Sequence, residues 1–527
     1  MREASDSWSD RWGLAACLLL AMAVRCLAIS TRSSELTHDR DAYLGIARGV
    51  ANGRGLCSPE SAVPTAFRPP LYPSLLGLLM VALPMGVAVA LVNVAAGVVT
   101  VWATFRVGLS LQLGRASLGA AALVAVDPLL LLYGTQPMTE TVCTGLVALL
   151  LLAVVRGSES DQSSQVTGKS LLTHTNSMRK RERCATDFLA YASGWCGVSA
   201  SPFQSQWSVG VLFGLLVLCR PTFWPLAGVV VAGCGASWVW NRIKQRRDQP
   251  QPSQETCFSN PPRQPASAAS GREQRDSLAD AAGYFSKRNP TEQVSSGLAS
   301  SGRASLSSLR WRVIVGTLLV VAPWVIRNQL VIGSPLVTTT HGGYTLLLAN
   351  NSVFYDEVVD QPWGTVWSGA SLARWQAELD SRLERDLGAQ ASELERDRRQ
   401  SEWGREFITA EPRRFVHAVW HRLRSLWSPV PLGETDAGVA RVAVAVVGWF
   451  YAIELLAFVV GMVVVGMVVV ARCRVEWPRW WILFALVITV QGVHLVYWTN
   501  ARMRTPLTPI IALFAVAAVV TRAKPTR

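Results

Sequence analysis

The chain has 527 residues, of which 50% are hydrophobic and 16% charged, and its mean hydropathy is +0.26. Soluble proteins carry about 25% charged residues, so these values exclude an ordinary soluble protein, and also wholesale disorder, a collagen-like chain and a disulfide scaffold. The net charge of +14 would suggest a nucleic-acid partner only if the basic residues clustered on one soluble face, and they do not.

Apolar segments that lack a polar face predict membrane-spanning helices. The first is residues 12–30, which we expect to remain as an uncleaved helix because no persuasive cleavage site follows it. Further spans are expected at 86–108, 116–134, 139–156, 207–220, 222–240, 312–330, 440–470, 479–498 and 505–521. The predicted fold is an all-α multi-pass membrane bundle of about ten spans with interfacial half-helices.

Lysine and arginine residues mark the cytoplasmic side of a membrane protein. Because they cluster in 157–206, in 241–311 and in the tail, we expect both termini to be cytoplasmic, in a cell inner or plasma membrane, or in the endoplasmic reticulum of a eukaryote. The predicted regions are an N-terminal membrane region, residues 1–156, with a first outer loop 31–85, a cytoplasmic insertion 157–206, a transmembrane hairpin 207–240, a cytoplasmic loop 241–311, a span 312–330, an outer loop 331–438 and C-terminal spans 439–527.

The two longest polar segments differ in character. Residues 241–311 are rich in Ser, Gln, Pro and Arg and lack hydrophobic periodicity, so we expect a disordered basic loop. Residues 372–427 instead carry apolar side chains at helical spacing among many charges. This pattern predicts one or two amphipathic helices that lie on the outer face of the membrane.

Two acidic residues, Asp39 and Asp41, precede a short segment whose apolar residues share one helical face from Tyr43 to Val50. An acid at the outer membrane interface is a candidate general base. The alternative for Asp39 is a structural one, in which it only caps the start of this helix.

The segment from Arg68 to Pro73 contains three prolines and leads into the apolar residues 74–83, which are too few to span a membrane. Such a segment predicts a re-entrant or interfacial half-helix that lines a cavity, since broken backbone is tolerated there. The alternative is a plain loop anchor.

Several arginines lie on the side that the positive-inside rule disfavours. One such residue is usually a headgroup anchor, but several at one depth indicate a phosphate site, because guanidinium groups pair with phosphate oxygens. The arginines of this set are Arg68, Arg220, Arg327, Arg502 and Arg504. Glu140 begins the fourth span on the same side, either as a second carboxylate of the site or as an acid favoured by the helix N-terminus.

Polar residues also interrupt two apolar spans, and the sequence leaves their roles open. Asp127 precedes Pro128, and Glu454 lies within a long apolar segment; each either lines a cavity or marks a kink or local polar pairing. No strong cluster of metal ligands is evident, so the sequence leaves divalent metal dependence open and names no cofactor, and we expect activity to be insensitive to a chelator.

An outward cavity with a carboxylate, a set of arginines and a half-helix suits transfer chemistry on a lipid phosphate. A sugar that leaves a polyprenyl phosphate develops negative charge on the phosphate, which arginines stabilise. A carboxylate that takes the proton of an acceptor hydroxyl gives inversion in a single displacement. The alternatives are a lipid or solute transporter, for which we find no internal repeat, and a membrane scaffold, which leaves the outer arginines unexplained.

The motifs carry a family resemblance. Asp39 to Gly55 reads D-x-x-x-Y-L-x-I-A-R-x-x-x-x-G-x-G and is followed by Pro64 to Pro73, a combination that resembles the first outer loop of GT-C glycosyltransferases. The resemblance is to the group that contains protein O-mannosyltransferases and aminoarabinose transferases. Weaker motifs follow in the order such proteins show, at Thr139-Glu140, Arg220-Pro221-Thr222, Pro323 to Asn328, Gly342-Gly343 with Asn350-Asn351, and Arg502 to Pro506.

The resemblance implies a membrane transferase that uses a polyprenyl-phosphate sugar on the outer face, with a first-loop acid as base. Asp39, four residues before Tyr43, best matches that acid, and Asp41 is the competitor. Tyr43, Tyr72 and Asn328 then join the arginines as substrate-binding candidates. The acceptor is a lipid, a glycan or a protein, although the outer loop has no recognisable protein-acceptor module.

Overall fold

The computed structural model describes residues 8–173, 202–230, 290–430, 439–471 and 473–523. These residues contain no β-strand, only an isolated bridge between Cys57 and Pro64, so the all-α prediction is confirmed for them. The main α-helices are α1 Trp8–Thr31, α2 Tyr43–Ala51, α3 Leu71–Met80, α4 Met85–Ser110, α5 Ala116–Val126, α6 Pro128–Gly134, α7 Glu140–Thr173, α8 Pro202–Cys219, α9 Pro290–Val331, α10 Gly342–Ala349, α11 Gly369–Leu387, α12 Glu393–Ala410, α13 Pro412–Leu426, α14 Val439–Ala471, α15 Cys473–His494 and α16 Thr508–Ala523. Residues 225–230 are also helical.

By length and composition, the described residues contain 6 helical segments that could cross a membrane, or up to 7 if the bent pair α5 and α6 is one span. They are Ser9–Thr31, Met85–Ser110, Glu140–Gly157, Trp311–Val331, Arg441–Ala471 and Ala501–Val520. This supports an integral membrane protein, but the predicted count of ten is not confirmed. The predicted spans 207–220 and 479–498 correspond to the shorter apolar helices Gln206–Cys219 and Arg479–His494, and residues 231–240 of the span 222–240 lie outside the described residues.

The predicted span 116–134 is broken at Asp127, where α5 and α6 meet at a bend of 44°. The Asp127 side chain accepts the N–H of Leu130 at 2.8 Å and so caps α6, while Pro128 occupies the first helical position. Asp127 is therefore a helix cap at a kink rather than a cavity-lining group. Glu454, the other polar residue whose role the sequence leaves open, is buried, with 4% of its surface exposed.

The predicted outer loop 331–438 contains three long helices, α11 to α13, rather than the one or two that the sequence predicts. A capping box of Ser392 and Glu395 begins α12, and Pro412 begins α13, so the apolar pattern is divided among separate helices. Leu379 and Leu383 of α11 are buried in a cluster with Trp375 of the same helix, Leu347 and Leu348 of α10 and Trp403 of α12.

The helices that flank the two segments predicted to be cytoplasmic, 157–206 and 241–311, are longer than predicted. Helix α7 continues to Thr173, and α9 begins at Pro290, so residues 290–310 of the segment predicted to be disordered are helical. Extension from an existing span needs only propagation and no new nucleus. Residues 174–201 and 231–289 lie outside the described ranges.

The chain divides into two compact units, Val230–Arg310 and a larger one made of Met1–Val229 and Trp311–Arg527. Most of Val230–Arg310 lies outside the described ranges. The site described below belongs to the larger unit.

Candidate functional site: an arginine–carboxylate cavity

A cavity of about 1020 Å³ lies where several of the apolar helices end. Its walls come from the first outer loop, the segment that leads into α10, the helices α11 and α12, the segment after α8, and the end of α15 with the segment that follows it. The predicted site residues that line it are Asp41, Tyr43, Arg68, Arg220 and Arg502. The structure therefore brings together residues from distant segments of the chain.

The start of α2 separates the two first-loop acids. Oδ2 of Asp39 accepts the backbone N–H of Gly45 at 2.7 Å, so this carboxylate caps the helix. Ala42 adopts a left-handed conformation with φ of 62°, which is uncommon for a residue with a side chain. Asp41 lines the cavity, whereas Asp39 is not among the residues that line it.

Two arginines hold Asp41. Arg68 donates from Nε to the Asp41 carbonyl oxygen at 2.7 Å, and its Nη2 lies 3.3 Å from Oδ1 of the same residue. Arg502 donates from Nη2 to Oδ2 of Asp41 at 2.8 Å. Burial alone would raise the pKa of Asp41, but Arg502 and Arg68 outweigh it and hold that pKa below its ordinary value. Asp41 is therefore ionised at neutral pH.

Arg502 also binds the second carboxylate, Glu140. Its Nε donates to Oε1 of Glu140, and Nη2 of Arg220 lies 3.4 Å from the same oxygen. The Glu140 side chain is 0% exposed, compared with 23% for Asp41. Glu140 begins α7 and pairs with two arginines of the cluster, but it does not line the cavity, and its role in the site stays a prediction.

Aromatic rings support Arg68. Its guanidinium lies 5.3 Å from the ring centre of Tyr43 and 4.8 Å from that of Phe67. Tyr43 in turn packs edge-to-face on Tyr72 at 5.4 Å. Tyr72 is fully buried and is not among the cavity-lining residues. Tyr72 therefore packs against the cavity-lining residue Tyr43 without lining the cavity itself.

The predicted half-helix is α3, which packs closely on α2. A Cβ atom added at Gly77 would lie 2.7 Å from the Ala47 carbonyl oxygen and 2.5 Å from Cβ of Val50. Only glycine permits this approach of the two short helices. Their packing fixes the first outer loop on which Asp41 and Arg68 lie.

Three predicted substrate-binding residues instead make structural contacts away from the cavity lining. Arg327 donates to the carbonyl oxygens of Leu56 at 2.7 Å and Thr65 at 2.9 Å, and so holds the first outer loop. Asn328 donates to the Leu336 carbonyl at 3.0 Å. These contacts satisfy both side chains within the protein.

Arg504 is the third. It is 2% exposed, its guanidinium lies 4.5 Å from the ring centre of Tyr451, and it donates to the carbonyl oxygens of Leu426 at 3.0 Å and Ser428 at 2.5 Å. It therefore satisfies the backbone at the end of α13.

Glu393, an acidic residue that sequence patterns miss, joins three segments of the cavity wall. The Glu393 carboxylate accepts hydrogen bonds from the Thr65 hydroxyl at 2.9 and 3.0 Å, from the Ala66 N–H at 3.3 Å and from the Thr340 hydroxyl. In the sequence, Glu393 looks like an ordinary acid in the first turn of a helix. Its partners lie up to 328 residues away, and local spacing gives no signal of them.

Two cavity-lining aromatic residues were also missed, His341 and Tyr344. The His341 ring stacks on Tyr344 at 5.1 Å and meets the edge of Phe67 at 4.4 Å. Burial and the neighbouring Arg68 lower the pKa of His341 well below its ordinary value. His341 is therefore neutral at physiological pH. The pair Gly342-Gly343, which the sequence singled out, lies between these two residues in the chain.

Within the described ranges, no group of three or more His, Cys, Asp or Glu residues is placed to hold a metal ion. The expected insensitivity to a chelator remains a prediction.

The fold and the site define a class: a helical membrane protein with an arginine–carboxylate cavity at the ends of its apolar helices. No family model matches the sequence, and no curated protein matches it. Among solved structures, the chain is similar to the archaeal oligosaccharyltransferase AglB from Archaeoglobus fulgidus, in complex with an inhibitory peptide and a dolichol-phosphate. The identity is 13% and the TM-score 0.45, over 97% of this chain and 50% of that one. The chain thus spans about half the length of that protein.

Proposed function

We propose that this protein is a membrane glycosyltransferase that moves a sugar from a polyprenyl-phosphate donor to an acceptor on the outer face of the membrane. The observation that carries the proposal is the bridge that Arg502 makes between Asp41 and Glu140, beside Arg68 and Arg220, in the wall of a large cavity. The outward orientation of the cavity belongs to the proposal and rests on the positive-inside pattern.

The charge of the cluster suits a phosphate diester. Three guanidinium groups, those of Arg68, Arg220 and Arg502, face two carboxylates, which leaves one positive charge. A polyprenyl-phosphate sugar carries one negative charge, and the leaving phosphate gains a second as the glycosidic bond breaks. Arginine donors already fixed by Asp41 and Glu140 would stabilise that developing charge without reorganisation.

Asp41 is the better candidate for the base. Its side chain is 23% exposed and lines the cavity, whereas Glu140 is fully enclosed and Asp39 is engaged with the Gly45 N–H. In the proposed step the acceptor hydroxyl oxygen bonds to the anomeric carbon, Asp41 takes the hydroxyl proton, and the polyprenyl phosphate leaves with the bonding electrons. The product has the inverted anomeric configuration.

Donor binding would also prepare Asp41 for this step. A carboxylate paired with two arginines is a weak base, because the pairing stabilises its ionised form. A phosphate oxygen that competes for donors of Arg68 and Arg502 weakens this pairing and raises the pKa of Asp41 within the complex. Base strength thus increases only when the donor is present.

The proposal is tested by the lipids that the protein consumes. Deletion of the gene should lead to accumulation of one lipid-linked sugar, and the purified protein in nanodiscs should convert that lipid to free polyprenyl phosphate in the presence of acceptor extract. Mass spectrometry measures both effects. The proposal fails if no lipid-linked sugar accumulates, or if the lipid crosses the membrane with its sugar still attached.

A further inference from the structure

A second region of the cavity wall is not used by the proposed phosphate site. It consists of the rings of Phe67, His341 and Tyr344 and the polar side chains of Gln376 and Asp380, and we refer to it as the aromatic wall. All five residues line the same cavity as Asp41.

The rings of the aromatic wall are held in fixed positions. The planes of His341 and Tyr344 are inclined by only 26°, and Phe67 meets His341 edge-on. The Tyr344 hydroxyl accepts a hydrogen bond from Nε2 of Gln376 at 2.6 Å, and the Tyr344 ring contacts that of Trp375 at 6.1 Å. A preorganised pair of nearly parallel rings is thus presented to the cavity.

Polar groups border these rings. Gln376 and Asp380 lie one turn apart on α11 and are both exposed. The backbone between the two rings is also fixed, because Oδ1 of Asp397 accepts the Gly343 N–H at 2.6 Å. The wall therefore combines flat apolar faces with carboxylate and amide groups at their edge.

This combination matches a sugar ring better than a peptide. A pyranose has an apolar face of C–H bonds, which packs against the negative face of an aromatic ring. Its rim carries hydroxyl groups, which donate to carboxylates and amide oxygens. A few polar groups around an apolar surface are the usual means of fixing a small ligand's orientation.

The aromatic wall is connected by direct contacts to the candidate base. Arg68 binds Asp41 and covers the Phe67 ring, and Phe67 contacts His341. A ligand on the wall would therefore lie beside the arginine cluster and within the same cavity as Asp41. This is the place that an acceptor must occupy if the donor phosphate binds Arg68, Arg220 and Arg502.

We propose that the acceptor is a glycan, and that a neutral pyranose of this glycan packs against the part of the stacked His341–Tyr344 pair that faces the cavity, while Gln376 and Asp380 bind its hydroxyl groups. This inference rests on the proposed function, because only a transferase has an acceptor. The binding site itself is independent of the reaction and is tested by direct binding.

The test uses the full chain in nanodiscs and an array of neutral oligosaccharides as the probe. The tightest binder is then titrated by calorimetry against wild type, Tyr344→Ala, Tyr344→Phe, Gln376→Ala and the control Trp420→Ala, whose side chain is 56% exposed on α13 outside the cavity lining. Affinity for the lipid-phosphate donor is measured in parallel as a check of folding.

We expect Tyr344→Ala to weaken oligosaccharide binding by about tenfold, as is usual for a central aromatic contact. Tyr344→Phe keeps the ring and should lose less than about threefold, Gln376→Ala should lose about threefold, and Trp420→Ala should bind like wild type. Donor affinity should be unchanged in all four variants.

The inference is overturned if no oligosaccharide binds the wild type, if Tyr344→Ala binds as tightly as wild type, or if a peptide library binds in a Tyr344-dependent manner instead. These outcomes differ from failure of the proposed function. Tyr344-dependent glycan binding without donor consumption would refute only the transferase, and donor consumption without such binding would refute only the glycan site.

Discussion

Arg502 donates a hydrogen bond to Asp41 across 461 positions of sequence, at 2.8 Å. The contact joins the first outer loop to the segment that precedes the last helix, and the same guanidinium binds the enclosed Glu140. One arginine thus links a carboxylate that the cavity exposes to one that it does not. These contacts give Arg502 one function, charge compensation within the protein, and binding of an anion is the second function that we propose for it.

Replacement of Arg502 should reveal the first of these functions. Arg502→Ala leaves the buried Glu140 with only the longer contact to Arg220, and the loss of a partner of a buried charge costs about 3 kcal/mol or more. We expect a thermal unfolding midpoint several degrees lower in nanodiscs. The double variant Arg502→Ala/Glu140→Gln should regain most of the stability but no donor binding. An unchanged midpoint in the single variant would contradict this account of the pair.

Arg504 provides the contrasting case. It donates to the Leu426 and Ser428 carbonyl oxygens and does not line the cavity. Arg504→Ala should therefore lower the unfolding midpoint, because buried carbonyl groups lose their donor, while the protein that remains folded binds the lipid donor with wild-type affinity. Calorimetry normalised to folded protein measures this. Weaker donor binding at an unchanged midpoint would place Arg504 in the donor site.

The pH dependence should report the arginine pairing of Asp41. The lowered pKa of Asp41 keeps this carboxylate ionised as the pH falls. The value of kcat/KM, which reports the free enzyme, should therefore decrease on the acid side only below about pH 4. The acid limb of kcat should lie at higher pH, because the bound phosphate competes for the arginines. Arg68→Gln should move the acid limb of kcat/KM to higher pH. If the acid limbs of kcat and kcat/KM lie at the same pH in the wild type, the bound phosphate does not compete with Asp41 for the arginines.

The crossing of α10 and α12 offers a matched pair of substitutions. A Cβ atom at Gly343 would lie 2.0 Å from the Asp397 carbonyl oxygen, whereas one at Gly342 would meet nothing within 4 Å. Gly343→Ala should therefore destabilise the protein by about 1–3 kcal/mol and lower the transfer rate, because the cavity wall moves. Gly342→Ala should leave the stability unchanged, as measured by thermal unfolding, and donor turnover measures the effect of Gly343→Ala on the rate. Equal behaviour of the two variants would contradict the described packing.

The sequence predicts the helical architecture and several members of the arginine cluster, because apolar length and misplaced charges are local signals. It does not separate Arg502 from Arg504. The two residues lie on a 3₁₀ segment, Ala501–Leu507, where three residues make a turn, so side chains two positions apart point in different directions. Only the tertiary structure shows which of them lines the cavity.

The order of the two first-loop acids has a similar explanation. The motif spacing favours Asp39, but the cap at Gly45 and the left-handed Ala42 place Asp41 in the cavity wall instead. A left-handed alanine has no signature in the sequence, unlike a glycine. The bridge through Glu393 was equally invisible, because its partners belong to segments far from it in the chain.

The most direct test of the central claim compares Asp41→Asn with Asp39→Asn in transfer from the lipid-phosphate sugar, with donor affinity measured for each. Our account predicts that Asp41→Asn lowers kcat by about 10²- to 10⁴-fold with donor still bound, and that Asp39→Asn, which keeps an oxygen to accept the Gly45 N–H, retains most of the activity. Near-normal turnover in Asp41→Asn, or its loss only in Asp39→Asn, would contradict the assignment of Asp41 as the base.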